Sequence, residues 1–136
     1  MVAAEEHVGD VERSIRIVKE GTCCHVHRLP YERYTKLMVM GCVTKSIKGS
    51  NQLPSTNGLS KEISPSTMIT GKLGPDYNQI CKLNFGDYVQ AYRRNGATNT
   101  NNARSVGAIA LFPSGNDQNG WYFMSLATGK RIHCYQ

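Results

Sequence analysis

Residues 7–20 read HVGDVERSIRIVKE, and this stretch decides how the rest of the chain is interpreted. Apolar or small side chains recur along it and just beyond it at steps of three and four, namely Val8, Val11, Ile15, Val18 and Thr22. This spacing predicts an amphipathic helix with one mostly apolar face. Glu12 lies off that face, beside the cations Arg13, Arg16 and Lys19. A carboxylate among cations suits metal-dependent phosphoryl transfer on nucleic acid, although one carboxylate alone cannot hold two metal ions.

The composition sets the scale of the protein and the charge of its partners. The 136 residues suffice for one ordinary domain or for two very small ones. Hydrophobic residues make up 40% of the chain and aromatic residues 8%, so the core is expected to be modest. A net charge of +6 favours anionic partners such as DNA or RNA over acidic proteins.

The sequence also predicts where the protein works. It contains neither a long apolar run nor a charged-then-apolar leader, which predicts no membrane partner and no secretion. Its five cysteines are an odd number at irregular spacing, which favours free thiols in a reducing compartment over a disulfide framework. We therefore expect an intracellular protein, nuclear or cytoplasmic.

Helical patterns occupy the first half of the chain. The first helix is predicted to lose definition at Gly21 and to stop by Pro30. A second helix is predicted over residues 31–43, weakened at Gly41 and lost through residues 44–50. Residues 49–60 have the composition of a linker. The dipeptide Ser64-Pro65 then predicts the start of a short helix that ends at Gly71.

Strand patterns follow after a change of composition near Gly74-Pro75. Strands are predicted over residues 88–92, 106–112, 121–126 and 131–135, with turn-rich segments between them. Four short strands of this kind indicate a small antiparallel barrel or a curled sheet. The fold class is thus predicted as α+β, with helices first and a sheet last.

Clusters of cysteine and histidine are candidates for catalytic or metal sites. The run CCHVH at residues 23–27, with Cys42 downstream, suggests zinc, but adjacent cysteines rarely reach one tetrahedral ion and no second ligand pair completes the set. Thiols and imidazoles at a helix end are the favoured interpretation. Catalysis by Cys134 and His133 is disfavoured because neighbours on a strand point to opposite faces.

Basic side chains form two sets, either of which could follow a phosphate backbone. The helical set comprises Arg13, Arg16, Lys19, Arg28, Arg33, Lys36, Lys45 and Lys48. The strand set comprises Lys82, Arg93, Arg94, Arg104, Lys130 and Arg131. Tyr92 or Trp121 could offer a face for base stacking, although a core position is favoured for residues 121–123.

The helix of residues 7–20 resembles the last catalytic helix of integrases from copia-type retrotransposon polyproteins. In that family a glutamate followed by a basic residue completes an Asp, Asp, Glu triad on a ribonuclease-H-like core. Glu12 is the matching position. The resemblance implies Mg²⁺ or Mn²⁺ as the cofactor of an intact integrase, with Glu12 as one ligand only if the two aspartates were present.

Later segments match the family in the same order along the chain. Residues 64–71 resemble the SPxTxxTG segment that follows the integrase core. Residues 81–90 resemble the start of the small Src-homology-3-like domain that comes next, and residues 106–132 are similar to its strands and final turn. The resemblance covers nearly the whole chain, although each motif alone is weak.

This resemblance implies three segments. Residues 1–48 are expected to be the remnant of a truncated integrase core, residues 49–74 a linker with a short helix, and residues 75–136 a small Src-homology-3-like β-barrel. The strands that carry the two aspartates would lie upstream of Met1. We therefore expect a catalytically inactive polyprotein fragment, related to DNA integration, with no cofactor of its own and with Glu12 as a vestigial catalytic residue.

The partners expected of this fragment remain open at this point. Nucleic-acid contacts are predicted at Arg13, Arg16, Lys19, Arg93, Arg94, Lys130 and Arg131. The alternative is a stand-alone basic barrel that binds nucleic acid or protein. Because the first helix belongs against a sheet that this chain would lack, its apolar face is also expected to be exposed and prone to self-association.

Overall fold

A computed structural model describes residues 9–56, 60–72, 76–92, 101–116 and 118–135. Within these ranges helices come first and an antiparallel sheet follows, which confirms the α+β class. The helices are α1 (Gly9–His27), α2 (Lys36–Gln52), α3 (Pro65–Thr70) and α4 (Tyr77–Ile80). The strands are β1 (Tyr88–Tyr92), β2 (Ser105–Pro113), β3 (Trp121–Ser125) and β4 (Arg131–Cys134). Val8, the predicted boundary at Gly74-Pro75 and the predicted contacts Arg93 and Arg94 lie outside the described residues.

Helix α1 runs through Gly21 to His27, so the prediction that it weakens at Gly21 is wrong. Gly21 is a packing position. A Cβ built there would lie 3.4 Å from Cβ and from Oγ of Ser46 on α2. Thr22 adds hydrogen bonds from Oγ1 to the Val18 carbonyl at 2.8 Å and to Ser46 Oγ at 3.4 Å. Contact between the two helices thus outweighs the low helix propensity of glycine.

Helix α2 starts later and ends later than predicted. It begins at Lys36 because the Thr35 hydroxyl caps it, accepting a hydrogen bond from Met38 N at 3.3 Å. It continues to Gln52, so the predicted loss of helix over residues 44–50 and the predicted linker from residue 49 are wrong at these positions. Gly41 is again a close-packing position, since a Cβ there would lie 3.2 Å from Leu111 Cδ2.

The sequence predicts one of the two short helices but not the other. Helix α3 is confirmed: Ser64 caps it by accepting from Thr67 N at 3.2 Å, and Gly71 ends it at a φ of +66°. Helix α4 was not predicted. Its four residues follow the cap Asp76, whose carboxylate accepts from Asn78 N at 3.0 Å, and they are too few to show a helical period.

The four strands lie in the order β1-β2-β3-β4, and each is antiparallel to the next. The predicted strand positions are confirmed to within a residue or so at their ends. The register shifts between Ala110 and Phe112, and this irregularity lets the consecutive residues Leu111 and Phe112 both be buried. In this sheet β1 and β4 are the edges, so the closed barrel is not part of the described structure.

One part of the core joins the helices to the sheet. Met38 and Cys42 of α2 pack with Phe85 and with a group of sheet residues, Ile109, Leu111, Phe112 and Met124. Leu111 has no exposed surface and Cys42 only 1%. The strand half therefore buries its α2-facing side against the helical half.

A second part of the core lies on the other side of the sheet. It contains Ala91, Ala108, Ala110, Trp121 and Phe123. Burial of Trp121 and Phe123 confirms the core position predicted for them, whereas Tyr122 lies between them in sequence and packs with the first cluster. None of the described helices combines the length and the apolarity needed to span a bilayer.

Candidate nucleic-acid interface

The predicted cations of α1 are all exposed, but they are not equivalent. Arg16 Nε lies 2.8 Å from Glu20 Oε1, one turn further along the helix. The hydrogen bond that Arg16 donates to Glu20, and then the negative charge of Glu20, raise the pKa of Arg16. Arg13 and Lys19 make no ion pair within the described part of the chain. These two side chains therefore retain more capacity to contact phosphate than Arg16 does.

Glu12 is exposed on the same helix. Two catalytic metal ions need several oxygen ligands held together. Among the described residues, no group of three or more histidine, cysteine, aspartate or glutamate side chains is placed to hold a metal ion. The residues that the structure describes around Glu12 thus do not fit the two-metal centre that the integrase resemblance implies.

Lys130 and Arg131 lie at the turn between β3 and β4, and both are exposed. The turn is closed by hydrogen bonds from Ser125 N to the Lys130 carbonyl and from Gly129 N to the Ser125 carbonyl, at 2.9 and 2.8 Å. Gly129 has a φ of +66°, a conformation that glycine adopts without steric cost. A backbone-bonded turn therefore carries two adjacent cations into solvent.

Arg131 also caps a stack of aromatic rings. Its guanidinium carbon lies 4.9 Å from the centre of the Tyr122 ring. Tyr122 lies 4.6 Å from His133 and 5.1 Å from Phe112, measured between ring centres, and His133 lies 4.6 Å from Tyr135. The antiparallel register places Tyr122 opposite His133, which brings these side chains onto one face of the sheet.

His133 is held tightly within this stack. Its Nε2 atom is buried without a hydrogen-bond partner in the described structure. A Cβ built on Gly120 would come within 2.6 Å of that atom, so the absence of a side chain at Gly120 is what admits the ring. The stack therefore places closely packed rings beside an exposed guanidinium, an arrangement on which an unpaired nucleobase can stack.

The structure does not join the two predicted basic sets by direct contact. In the described residues, no hydrogen bond, ion pair or ring contact links the α1 cations to Lys130 or Arg131. The Arg131 stack was not predicted as a unit. Its signal in the sequence is the alternation of Arg131, His133 and Tyr135, which places the three on one side of a strand.

Lys45 and Lys48 differ from the rest of the predicted helical set because they are half-buried. Lys45 Nζ donates to the Leu83 carbonyl at 3.3 Å. Lys48 Nζ donates to the carbonyls of Pro113 and Ser114 at 2.8 and 2.9 Å. These two ammonium groups are therefore less accessible to a phosphate backbone than the exposed cations of the set. Both ammonium groups instead tie α2 to the strand half of the chain.

The cysteine and histidine residues are dispersed. Cys23 and Cys24 are exposed, whereas Cys42 is buried with its thiol directed at the Thr22 carbonyl, 3.6 Å away. Cys134 directs its sulfur at the Tyr92 carbonyl at 3.4 Å, while its neighbour His133 lies in the aromatic stack on the other face. The opposed directions of Cys134 and His133 are as expected for neighbours on a strand.

No protein-family model, curated protein or solved structure matches the chain.

Proposed function

We propose that this protein is a non-catalytic nucleic-acid-binding fragment of a copia-type retrotransposon polyprotein. The observation that carries the binding proposal is the Arg131 guanidinium, whose carbon lies 4.9 Å from the centre of the Tyr122 ring at an exposed turn, next to exposed Lys130. The polyprotein origin is supported by the order of the segments that resemble that family, residues 7–20, 64–71, 81–90 and 106–132.

The two adjacent cations fit different parts of a nucleic acid. Lys130 offers a flexible ammonium to a phosphate, which releases a condensed counterion when it binds. Arg131 offers both a charge and a planar guanidinium group, and nucleobases can stack on guanidinium planes and on aromatic rings. The combination favours single-stranded DNA or RNA, whose bases are accessible.

We further propose that the sheet belongs to the small Src-homology-3-like barrels named by the resemblance. Its support is the antiparallel order of four short strands and the irregularity in β2 at residues 110–112. Bulges of this kind bend a strand and so favour a curled sheet.

Absence of catalysis is the second half of the proposal. Its support is the poor fit between the described surroundings of Glu12 and a two-metal centre. The purified chain is incubated with labelled element-end DNA and Mn²⁺, and we expect no strand transfer. Strand transfer that Glu12→Gln abolishes would refute this half of the proposal.

The binding test uses the whole chain and fluorescence anisotropy of a labelled single-stranded oligonucleotide. Affinity is measured between about 50 and 200 mM salt, where each phosphate contact contributes a slope of roughly 0.7 for single strands. We expect Lys130→Ala/Arg131→Ala to lower the slope by about 1–1.5 and to weaken binding at least tenfold. Arg131→Lys keeps the charge but removes the plane, and it should weaken single-strand binding more than duplex binding.

The matched control is Lys61→Ala/Lys72→Ala, which removes the same charge from two other exposed positions. We expect it to change the affinity much less than the turn variant does. Equal losses from both double variants would mean that net charge alone attracts the oligonucleotide, and the proposed interface at Arg131 would then be wrong.

Self-association through α1 is a second candidate function. None of the described residues of α1 is buried, and Val11 and Ile15 on its apolar stripe are 54% and 50% exposed. Two such stripes could pack against each other from two copies of the chain. Sedimentation velocity at increasing protein concentration tests this: Ile15→Gln should abolish a dimer, whereas Ile17→Gln, an exposed position off the stripe, should not. A monomer at every concentration would refute the idea.

A further inference from the structure

A cavity of about 330 Å³ lies where α1, α2, α4 and the end of β2 meet. Its size falls at the lower end of the range for small-molecule sites, roughly 300–1,000 Å³. It has no part in the nucleic-acid interface proposed above, because neither Lys130, Arg131 nor any ring of the aromatic stack lines it.

Much of the cavity wall is apolar. Leu53, Tyr77, Ile80, Leu83 and Pro113 all contribute to it. Tyr77 is held in place by a hydrogen bond from its hydroxyl to the Gln52 carbonyl at 3.2 Å, so α4 closes one side of the cavity against the end of α2. An apolar wall of this kind favours a ligand with a hydrocarbon or aromatic body.

Lys45 is also one of the residues that line the cavity. A lysine ammonium has three donors. The described structure provides Lys45 Nζ with one hydrogen bond, to the Leu83 carbonyl at 3.3 Å, and with no carboxylate at ion-pair distance. Its other close contact is the ring of Trp121, 5.3 Å away. A half-buried ammonium is therefore left with donor capacity that an anion could use.

The other basic groups at the cavity have different roles. Lys48 already donates to the carbonyls of Pro113 and Ser114 and lies 5.0 Å from the Phe112 ring. Burial, then the charges of Lys45 and Arg28, lower the pKa of His25, so its imidazole is less protonated at pH 7 than that of an ordinary histidine. Lys45 is thus the cation whose donors remain available, and Lys48 adds a fixed positive charge nearby.

The pKa of Lys45 reflects the same environment. Burial lowers it first, and Arg28 lowers it further, while Asp87, Cys81 and Cys42 act in the opposite direction. An anion bound at the ammonium would offset the cost of burial and favour the charged form.

We propose that this cavity binds a small amphipathic carboxylate, with its anionic head at Lys45 Nζ and its apolar body against Tyr77, Ile80 and Leu83. A single available ammonium matches a monovalent head better than a phosphate dianion. A neutral ligand of the same shape would fill the apolar wall but leave the ammonium without its partner.

Trp121, the single tryptophan of the chain, provides the readout, because the Lys45 ammonium lies over its ring. The whole chain is titrated with decanoate and, separately, with decanol at pH 7, and tryptophan fluorescence is followed. We expect decanoate to bind at least tenfold more tightly than decanol, a difference of about 1.4 kcal/mol. Equal affinities, or no saturable change with decanoate, would overturn the proposal.

Three variants distinguish the effect of the Lys45 charge on binding from an effect on folding. Lys45→Met keeps the aliphatic stem and should lose the preference for decanoate over decanol, whereas Lys45→Arg should keep it. Lys61→Met removes an exposed lysine that does not line the cavity and should leave both affinities unchanged. Far-ultraviolet circular dichroism checks that each variant is folded. If Lys45→Met unfolds, the contact is tested by comparing the decanoate preference of the original chain with that of Lys45→Arg. Loss of the preference in Lys45→Arg would count against the proposed contact.

Discussion

Gly86 illustrates how a single residue can fix the contact between the two halves of the chain. Its φ is +88°, and a Cβ built there would collide with Leu29 Cδ2. Its amide donates to the Ala110 carbonyl at 2.9 Å, and its own carbonyl accepts from the Tyr31 hydroxyl at 3.3 Å. Strand, turn and the segment between α1 and α2 therefore all meet at a position that has no room for a side chain.

Gly86→Ala should consequently be one of the most damaging small substitutions. Backbone strain costs about 1–2 kcal/mol, and overpacking against Leu29 adds about 1–3 kcal/mol. We expect a loss of roughly 2–5 kcal/mol in the free energy of unfolding, measured by urea denaturation. Gly71→Ala is the control, because Gly71 also has a positive φ (+66°) but has open space around it. Equal losses at the two positions would contradict the proposed clash with Leu29.

His25 predicts a pH dependence of stability. Its folded-state pKa is lowered by burial, then by Lys45 and Arg28, below its ordinary value of about 6.5. Below pH 6.5 the unfolded chain therefore binds more protons at this residue than the folded chain does. The free energy of unfolding then decreases as the pH is lowered from about 6.5 to the folded-state pKa. The free energy of unfolding is measured at pH 8 and pH 5.5, which lie on either side of about 6.5. We expect it to decrease more between these two values in the original chain than in His25→Gln. Parallel pH profiles would exclude this role.

At the scale of single residues, the sequence predicts exposure better than it predicts contact. It places Glu12, Arg13, Lys130 and Arg131 on the surface, where the structure has them. It does not separate Lys45 and Lys48 from those surface cations, because their burial depends on carbonyl groups far away along the chain. Long-range partners of this kind leave no local pattern.

Helix α2 shows that two glycines in one element can have opposite effects. A Cβ at Gly49 would meet nothing within 4 Å, whereas a Cβ at Gly41 would lie 3.2 Å from Leu111 Cδ2. The sequence predicts that the helix weakens at Gly41 and is already lost at Gly49. Only the tertiary contact distinguishes the glycine that lets α2 approach β2 from the glycine that merely costs backbone entropy.

Alanine substitutions test this difference. Gly49→Ala should raise the free energy of unfolding by roughly 0.5–1 kcal/mol, since alanine is the better helix former and its methyl group has space. Gly41→Ala gains the same propensity but must displace Leu111, so we expect a net loss of about 0–2 kcal/mol. Chemical denaturation of both variants in parallel measures the contrast. Equal stabilisation by both would show that α2 does not approach β2 so closely.

The elements that the sequence predicts well are those whose signals are local. Turn-rich segments separate strands β1 to β4, and α3 has both a capping residue and a terminating glycine. The errors at α1 and α2 have one cause, because contacts of Gly21 with Ser46 and of Gly41 with Leu111 support helix at positions of low propensity. The four-residue helix α4 is too short for any period to reveal it.

At the scale of the whole molecule, the helical half completes the core of the strand half. Met38 and Cys42 cover the side of the sheet that contains Leu111 and Met124. A chain of residues 75–136 alone would expose that apolar side to water, and so small a domain has little stability to lose. The cavity and the Arg131 stack arise at this scale as well, which is why the sequence indicates neither as a unit.

Removal of the helical half is therefore predicted to be costly. We expect residues 75–136 alone to unfold at least 10 °C lower than the whole chain, or to show no cooperative transition, because a loss of about 2 kcal/mol shifts the midpoint by roughly 8–16 °C in a domain of this size. Thermal unfolding followed by circular dichroism measures it. A truncated chain as stable as the whole one would identify residues 75–136 as an independent domain, as the segment boundaries inferred from the sequence imply.

Because Cys42 is buried where α2 packs against β2, its reaction with a thiol reagent can report when this packing opens. Thiol reagents attack the thiolate, and the pKa of Cys42 is raised first by burial. Iodoacetamide should therefore label the exposed Cys23, Cys24 and Cys81 first, and should reach Cys42 only when α2 separates from α1 or from β2. Peptide mass spectrometry over time would then measure the rate of Cys42 alkylation, which reports how often this part of the structure opens. If the helix detaches alone, that rate should rise with urea well before global unfolding.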